Sequence, residues 1–504
     1  VKKDSYSRTN VKISLGKSSD LRSADAVIIP LTKAKLRPVE GLRAIAPLAA
    51  TTVESVLKQE KATHRSAAIS IVVPRSSKGA PALRVAILPT DYSEKDDQFE
   101  RLNRLRALGA ACAEHAKKSK CRSVVLDTAP LAKASEAEQE ALLEGLHLSL
   151  YSFDAYRSKV KPSKLSRIIL VGGAIDSRVL SKAETISDAV CLARDLVNTP
   201  ARDCTPTTIK STAAAIARVG RLKLKTYTKD SLTKMGADMI MSVFRGSNET
   251  PYLVTLTYKP RKPARVVALV GKGVTFDSGG LSIKSGAGMF DMKCDMAGGA
   301  AVLATMQAIA RLKPNVEVRA YIPTTENMIN NRATRPGDVV RALNGKTVEI
   351  LNTDAEGRLI LGDTLVLAER SKPDVIIDLA TLTGAVINAL GSDYAGLFTP
   401  SDTLAGALVD AGAHAGERLW RLPLATEYRD RLKSMVADVK NIGGSEAGAI
   451  TAALFLREFV QNNNWAHLDI AGPAFQNTDK LATPKGGSGF GVRTLIRYIE
   501  SLSA

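Results

Sequence analysis

Short apolar runs alternate with longer amphipathic stretches over most of the chain, the pattern of an α/β protein. In the first third, Ala26–Ile29, Ala68–Val73, Val85–Leu88 and Ser123–Asp127 read as buried strands. Between them, Gly41–Lys58, Phe99–Lys117 and Ser135–Tyr151 have helical spacing and few breakers. This third is expected to fold as an open α/β sheet. A basic, Pro-containing stretch, Arg157–Arg167, marks the expected boundary region, and a helix over Lys182–Val197 runs into the stop Asn198-Thr199-Pro200. Further on, Tyr252–Tyr258, Arg265–Val270, Val316–Ile322 and Asp374–Leu379 read as strands. Gly298–Arg311, Arg358–Arg370, Thr403–Ala415 and Ala449–Gln461 read as helices. The fold class predicted is α/β, with a smaller open α/β domain over 1–168, a linker with a helix over 169–197, and a larger domain with a mixed central sheet over 198–504.

Composition changes this picture little. The 504 residues exceed one compact core, and 45% hydrophobic with 24% charged residues is ordinary globular usage. No apolar run is long enough to span a membrane, so no membrane association is expected. Cys112, Cys121, Cys191, Cys204 and Cys294 are scattered without CxxC pairs and read as reduced thiols. The five histidines form no HExxH pair, so a metal site would be built mainly from carboxylates.

Charge adds more. The net charge is +19, and residues 1–170 carry 30 Lys+Arg against 18 Asp+Glu, or +12. A basic first third suits a nucleic acid or another anionic partner, although solvated surface charge is the plainer account. The polar start Val1-Lys2-Lys3-Asp4, without an initiator Met, fits a mature or truncated form. Cytoplasm is the default location, and a pI near 9.6 would also suit the mitochondrial matrix.

Three segments concentrate acids, lysines and glycines. Gly271-Lys272-Gly273-Val274-Thr275-Phe276-Asp277-Ser278-Gly279-Gly280, with Lys284 downstream, fails the dinucleotide fingerprint because Phe276 stands in place of the third glycine. Met292–Ala300 opens a helix, and Asp295 there reads alone as an N-cap. Asn352-Thr353-Asp354-Ala355-Glu356-Gly357-Arg358-Leu359 reads alone as a solvated loop. Together they supply four carboxylates, Asp277, Asp295, Asp354 and Glu356. Such hard oxygen ligands suit zinc, manganese or magnesium and can bridge two ions. Lys272 offers a nitrogen ligand once deprotonated, while Lys284 and Arg358 are cations available to an oxyanion.

Asn352–Leu359 is letter for letter the signature of the leucyl aminopeptidase family, which the chain resembles from about Asn198 to its end. Gly271–Gly280, the Lys284 spacing, Asp295, Thr381-Leu382-Thr383-Gly384 and Trp465–Gly472 follow the family pattern as well. The resemblance implies a two-metal exopeptidase that removes N-terminal residues, preferring Leu or Met. It implies one ion on Lys272, Asp277, Asp295 and Glu356. The second would sit on Asp277, Asp354, Glu356 and the Asp354 carbonyl. It assigns Lys284 to the oxyanion, bicarbonate to Arg358, and the first side-chain pocket to Met292, Thr381 and Gly384. Peptide substrates and a homohexamer follow from it. His467 beside Trp465 reads as a structural histidine. Cys294 and Asn330-Asn331 depart from the pattern without touching a ligand. Two other readings stand beside the enzyme: a DNA-binding or architectural role through the basic first third, and a metal-free structural homologue. Retention of all seven active-site positions opposes the latter.

Overall fold

The computed structural model describes residues 11–17, 19–20, 24–31, 51, 53, 55, 69–73, 82–89, 97–160, 163–480 and 482–503. Most of the expected helix over Gly41–Lys58 lies outside them. By contacts the described residues divide into one unit that runs up to Ser187 and takes in the stretch about Asp479–Pro484, and another over Asp188–Thr478 with the residues from Lys485 onward. The division falls inside the helix Ser177–Asn198. Residue 168, the expected end of the first domain, lies within a strand.

In the first unit β1 (Lys12–Leu15), β2 (Ala26–Leu31), β3 (Ile69–Val73), β4 (Leu83–Pro89), β5 (Ser123–Asp127) and β6 (Arg167–Val171) form a sheet in the order β1-β6-β5-β2-β4-β3. All neighbours are parallel except β3 with β4. β5 is buried along its whole length, which explains why it reads as a continuous apolar run rather than an alternating one. The helix Gln98–Lys118 packs on this sheet, and the helix Glu136–Ser149 packs against that helix. Asp97 caps the first, and a reciprocal Ser135–Glu138 capping box starts the second.

The second unit holds β7 (Lys223–Tyr227), β8 (Tyr252–Tyr258), β9 (Val266–Gly271), β10 (Gly273–Asp277), β11 (Glu317–Asn327), β12 (Asp338–Arg341), β13 (Thr347–Ile350), β14 (Val375–Ala380), β15 (Tyr394–Phe398), β16 (Arg418–Arg421), β17 (Val439–Lys440) and β18 (Trp465–Asp469). The main sheet runs β16-β15-β18-β14-β9-β11-β8-β7, with β10 joined to β11. It is mixed, as expected. β18, β14, β9, β11 and β10 are mutually parallel, so their carboxyl ends all emerge on one side. Ligand sites of open α/β sheets form at such ends. A smaller sheet, β12-β13-β17, lies beside it in the same unit. Among the described residues no helix is long and apolar enough to cross a membrane.

Candidate metal centre

Each parallel strand hands one polar residue to the same place. Lys272 follows β9, Asp277 ends β10, Asn327 ends β11, Thr381 follows β14 and Asp469 ends β18. Two helix starts complete the set. Asp295 precedes the helix Ala297–Leu312, and Glu356 precedes the helix Gly357–Arg370. Asp295 is not an N-cap: Met296 holds that position and makes no side-chain cap bond. Its carboxylate turns to the cluster instead. Oδ1 accepts from Thr381 Oγ1 at 2.8 Å, and Oδ2 lies 2.8 Å from Lys272 Nζ.

Lys272, 3% exposed, also lies 2.8 Å from Glu356 Oε1 and donates to the Thr381 carbonyl at 2.9 Å. Burial disfavours its ammonium, but the Asp295, Glu356 and Asp277 carboxylates outweigh burial and hold its pKa above the ordinary lysine value. Lys284 contacts Asp277 Oδ2 at 2.9 Å and Asp354 Oδ1 at 2.5 Å. Its pKa is likewise raised, Asp277 and Asp354 overcoming burial. Asp295, Asp354 and Glu356 are pushed upward. Burial is the main cause in each, and Asp277 adds like charge to all three.

The donor set fits a cation. One oxygen each from Asp277, Asp354 and Glu356 can lie within 4.8 Å of the others. Four carboxylates face two lysine ammoniums, leaving two negative charges over when all are ionised. Asp295 Oδ2, Asp354 Oδ1 and Glu356 Oε1 are buried within ion-pair distance of a lysine, yet none receives an aligned hydrogen bond. Buried carboxylate oxygens left so call for a further partner, a metal ion or an ordered water.

Arg358 is buried, its Nη1 donating to the Asn441 carbonyl at 2.8 Å, and burial pushes its pKa down to about 10. Thr381 thus touches the cluster directly through Oγ1 and its carbonyl. Gly384 opens a helix capped by Thr383, and a Cβ there would meet nothing within 4 Å. Met292 is half-buried in the turn before Asp295. His467 is fully buried with Nδ1 2.5 Å from Asp378 Oδ1, and it stacks on Phe398, consistent with a structural role.

Sequence reasoning missed the supporting shell. Asn327 Nδ2 donates to Asp277 Oδ1 at 2.8 Å and to the Thr353 carbonyl at 3.0 Å, orienting one ligand against the loop of two others. Asp469 accepts from Leu382 N at 3.1 Å, Thr383 Oγ1 at 2.6 Å and Ala471 N at 3.2 Å, fixing the turn that carries Thr381. Asn441 anchors the Asp354 loop through side-chain bonds to the backbone of Leu351, Asn352 and Ala355. No local pattern marks any of them. Asp469 alone closes a largely apolar run, Trp465–Leu468, whereas polar residues precede Asn327 and Asn441.

Known proteins resemble the chain over most of its length. Residues 191–496 match the model for the cytosol aminopeptidase family, catalytic domain, and residues 31–160 match its N-terminal domain. A probable cytosol aminopeptidase of Trichodesmium erythraeum is 44% identical over 405 residues, covering 80% of this chain and 82% of that protein. One from Synechococcus sp. is 46% identical over 399 residues, covering 79% and 82%. Among solved structures, the bottromycin maturation enzyme BotP in complex with Mn aligns at a TM-score of 0.81 and 36% identity, covering 95% of this chain and all of that one. A mutant of tomato leucine aminopeptidase aligns at 0.82 and 32%, covering 97% and 96%.

Proposed function

The chain belongs to the cytosol aminopeptidase family and is a metal-dependent aminopeptidase, and from that premise we propose how its own residues divide the work. Lys272, as the neutral amine once an ion competes away its proton, would hold one divalent ion together with Asp277, Asp295 and Glu356. Asp277, Asp354 and Glu356, with the Asp354 carbonyl, would hold a second. The convergence of Asp277, Asp354 and Glu356 oxygens carries this reading. Zinc, manganese and magnesium all suit the set, and the Mn in the BotP structure favours manganese. When bound, the ions supply Lewis acidity toward the scissile carbonyl and acidify water, and a bicarbonate at Arg358 supplies a proton acceptor. Lys284, kept protonated by Asp277 and Asp354, presents its Nζ to the oxygen that gains charge. Arg358 contributes a buried guanidinium with one structural hydrogen bond, leaving N–H groups for an anion.

Met292, Thr381 and Gly384 line the pocket for the first side chain. Thr381 is fixed by its bonds to Lys272 and Asp295, and Gly384 leaves open space. Leu or Met is the preferred first residue, since apolar burial favours it. The resemblance further supports a homohexamer, which sedimentation velocity reads; cytoplasm is the default location, and the pI near 9.6 also suits the mitochondrial matrix. The direct test of the site is hydrolysis of Leu-p-nitroanilide by the wild type and Glu356→Ala, with and without manganese or zinc. The variant should lose nearly all activity, and equal activity in both would end the two-ion assignment. An N-acetylated peptide should resist cleavage, because its blocked amine cannot bind a metal.

A row of cations in the first unit favours a second activity, binding of nucleic acid. Lys12, Arg167, Arg122 and Arg84 are exposed at or beside the first residues of β1, β6, β5 and β4. Strands ~4.8 Å apart spread these cations over roughly 19 Å along the sheet's edge, Lys12 and Arg167 on one face and Arg84 on the other. Lys118 and Lys120 extend the row, joined through Arg84 Nη1, which donates to the Ser119 carbonyl at 2.8 Å. The intervening Asp25 accepts from the Arg122 and Ser123 N–H groups at 3.0 and 2.9 Å. Duplex affinity should fall steeply between 50 and 200 mM salt (about a hundredfold to a thousandfold for four to six contacts). Absence of binding at low salt removes this activity.

A further inference from the structure

We propose that Asn441 is a positioning residue for the reaction, its side chain clamping the loop that carries Asp354 so that Asp354 and Glu356 meet Asp277. The proposal rests on the metal-ligand assignment above. Asn441 follows β17 and is fully buried. An asparagine amide offers two acceptor positions and two N–H donors. All four are used here, and all go to one loop. Oδ1 accepts from the N–H groups of Leu351 at 2.9 Å and Asn352 at 3.3 Å. Nδ2 donates to the carbonyls of Asn352 at 2.7 Å and Ala355 at 3.4 Å. Asp354 lies between these anchors, its own N–H donating to Asn352 Oδ1 at 2.8 Å.

The backbone of Asn441 serves different partners. Its N–H donates to the Glu349 carbonyl at 2.9 Å, and its carbonyl accepts from Arg358 Nη1 at 2.8 Å. The acid loop and the buried guanidinium therefore take their bearings from one residue. That residue is itself held firmly. β17 pairs with β13 through Val348 with Val439 and Glu349 with Lys440, and Asp438 Oδ2 accepts from Thr347 N at 2.8 Å. Thr353, at the middle of the loop, is tied separately to the Asp277 side, its Oγ1 donating to the Gly279 carbonyl at 2.7 Å. The loop is thus pinned in the middle by the first ligand segment and at its flanks by Asn441. Groups that orient metal ligands from behind control affinity as well as rate.

Two variants separate positioning from simple support. Asn441→Ala removes the four side-chain bonds and keeps the backbone bond to Arg358. Asn441→Asp keeps the volume but presents a carboxylate where two carbonyls need donors. Manganese would be titrated into each metal-free protein and free ion followed by electron paramagnetic resonance, alongside kcat, KM and circular dichroism. We expect native spectra, manganese affinity about 10- to 100-fold weaker, a similar fall in kcat, and KM within about threefold of wild type. Variants that melt earlier but bind manganese and turn over like wild type would reduce Asn441 to a structural residue and overturn the proposal. So would failure of both variants to fold, since Asn441 would then hold the domain rather than the loop. Wild-type protein that binds no manganese would instead remove the metal-ligand assignment itself.

Discussion

Gly357, the first residue of the helix behind Glu356, isolates how much the reaction depends on the position of Lys272. A Cβ built at Gly357 would lie 2.6 Å from both Cε and Nζ of Lys272 and 2.8 Å from its Cδ. Ordinary carbon contacts need about 3.5 Å, so Gly357→Ala must displace the end of Lys272 by roughly 1 Å. Elsewhere the tip of a lysine could swing aside at little cost. Here Nζ sits 2.8 Å from Asp295 Oδ2 and Glu356 Oε1 and 2.9 Å from the Thr381 carbonyl, and a 1 Å shift disrupts all three. The backbone has no reason to object, because Gly357 is helical and alanine is the better helix former by about 1 kcal/mol. Overpacking costs typically 1–3 kcal/mol, so the two effects largely offset each other in stability. The expected result is a melting temperature within a few degrees of wild type with kcat lower by about a hundredfold, the size of loss that a 1 Å misplacement produces. Turnover of Leu-p-nitroanilide and a thermal melt read the two quantities. Wild-type kcat in a folded Gly357→Ala protein would refute the dependence on Lys272.

Stability should also respond to pH through Asp363, which is buried and accepts from the Leu343 and Ile240 N–H groups at 2.8 and 3.2 Å. Burial raises its pKa to about 7, those backbone bonds opposing. The folded state then keeps a proton that the unfolded chain has already released. Stability contributed by this group is present below the ordinary carboxylate range and is lost as pH rises toward about 7, on the order of a few kcal/mol. Urea unfolding at pH 5 and pH 8 should show the fall, and Asp363→Asn should flatten it; an unchanged slope in that variant would assign the effect elsewhere. In the first unit, a Cβ on Gly109 would come within 1.9 Å of the Leu142 carbonyl, and one on Gly145 within 1.9 Å of the Arg106 carbonyl. Gly109→Ala should therefore force the helices Gln98–Lys118 and Glu136–Ser149 apart. It should destabilise that unit by about 1–3 kcal/mol or more while leaving peptide turnover intact at moderate temperature. An unchanged melt would mean that the helices can slide.

The elements legible in the sequence are those whose burial is uniform or periodic. β5, β14 and the helices flanking them emerge close to their expected bounds because a buried parallel strand is a bare apolar run and an amphipathic helix has its stripe. β11 is instructive for the opposite reason. The expected strand stops at Ile322, before a proline, whereas the structure continues it to Asn327. Pro323 sits where β11 leaves β9, last paired at Tyr321, and takes up β10, first paired at Thr324. A proline is tolerable at such a handover because one ladder is ending as the next begins. The threonines beyond it are buried yet polar, so they carry no apolar signal. That hidden extension delivers Asn327 to Asp277.

The candidate site divides along the same physical line. Its acids and lysines were legible because each stands beside glycines at a strand end or helix start, where side chains converge whatever the rest of the sheet does. What was not legible is whatever depends on a partner distant in sequence. Asp295 is the clearest instance: an acid before a helix start has two uses, and only the presence of Lys272 and Thr381 decides between them. Burial settles the competition. An exposed helix start gains about 1 kcal/mol from a cap, but a carboxylate at 4% exposure must find charge or strong donors, and the nearest are the lysine and the hydroxyl. The helix therefore starts without a side-chain cap. Local stability gives way to the ligand cluster at this point, as functional sites commonly require. The same reasoning explains why Glu356, at the start of its own helix, makes no capping bond either.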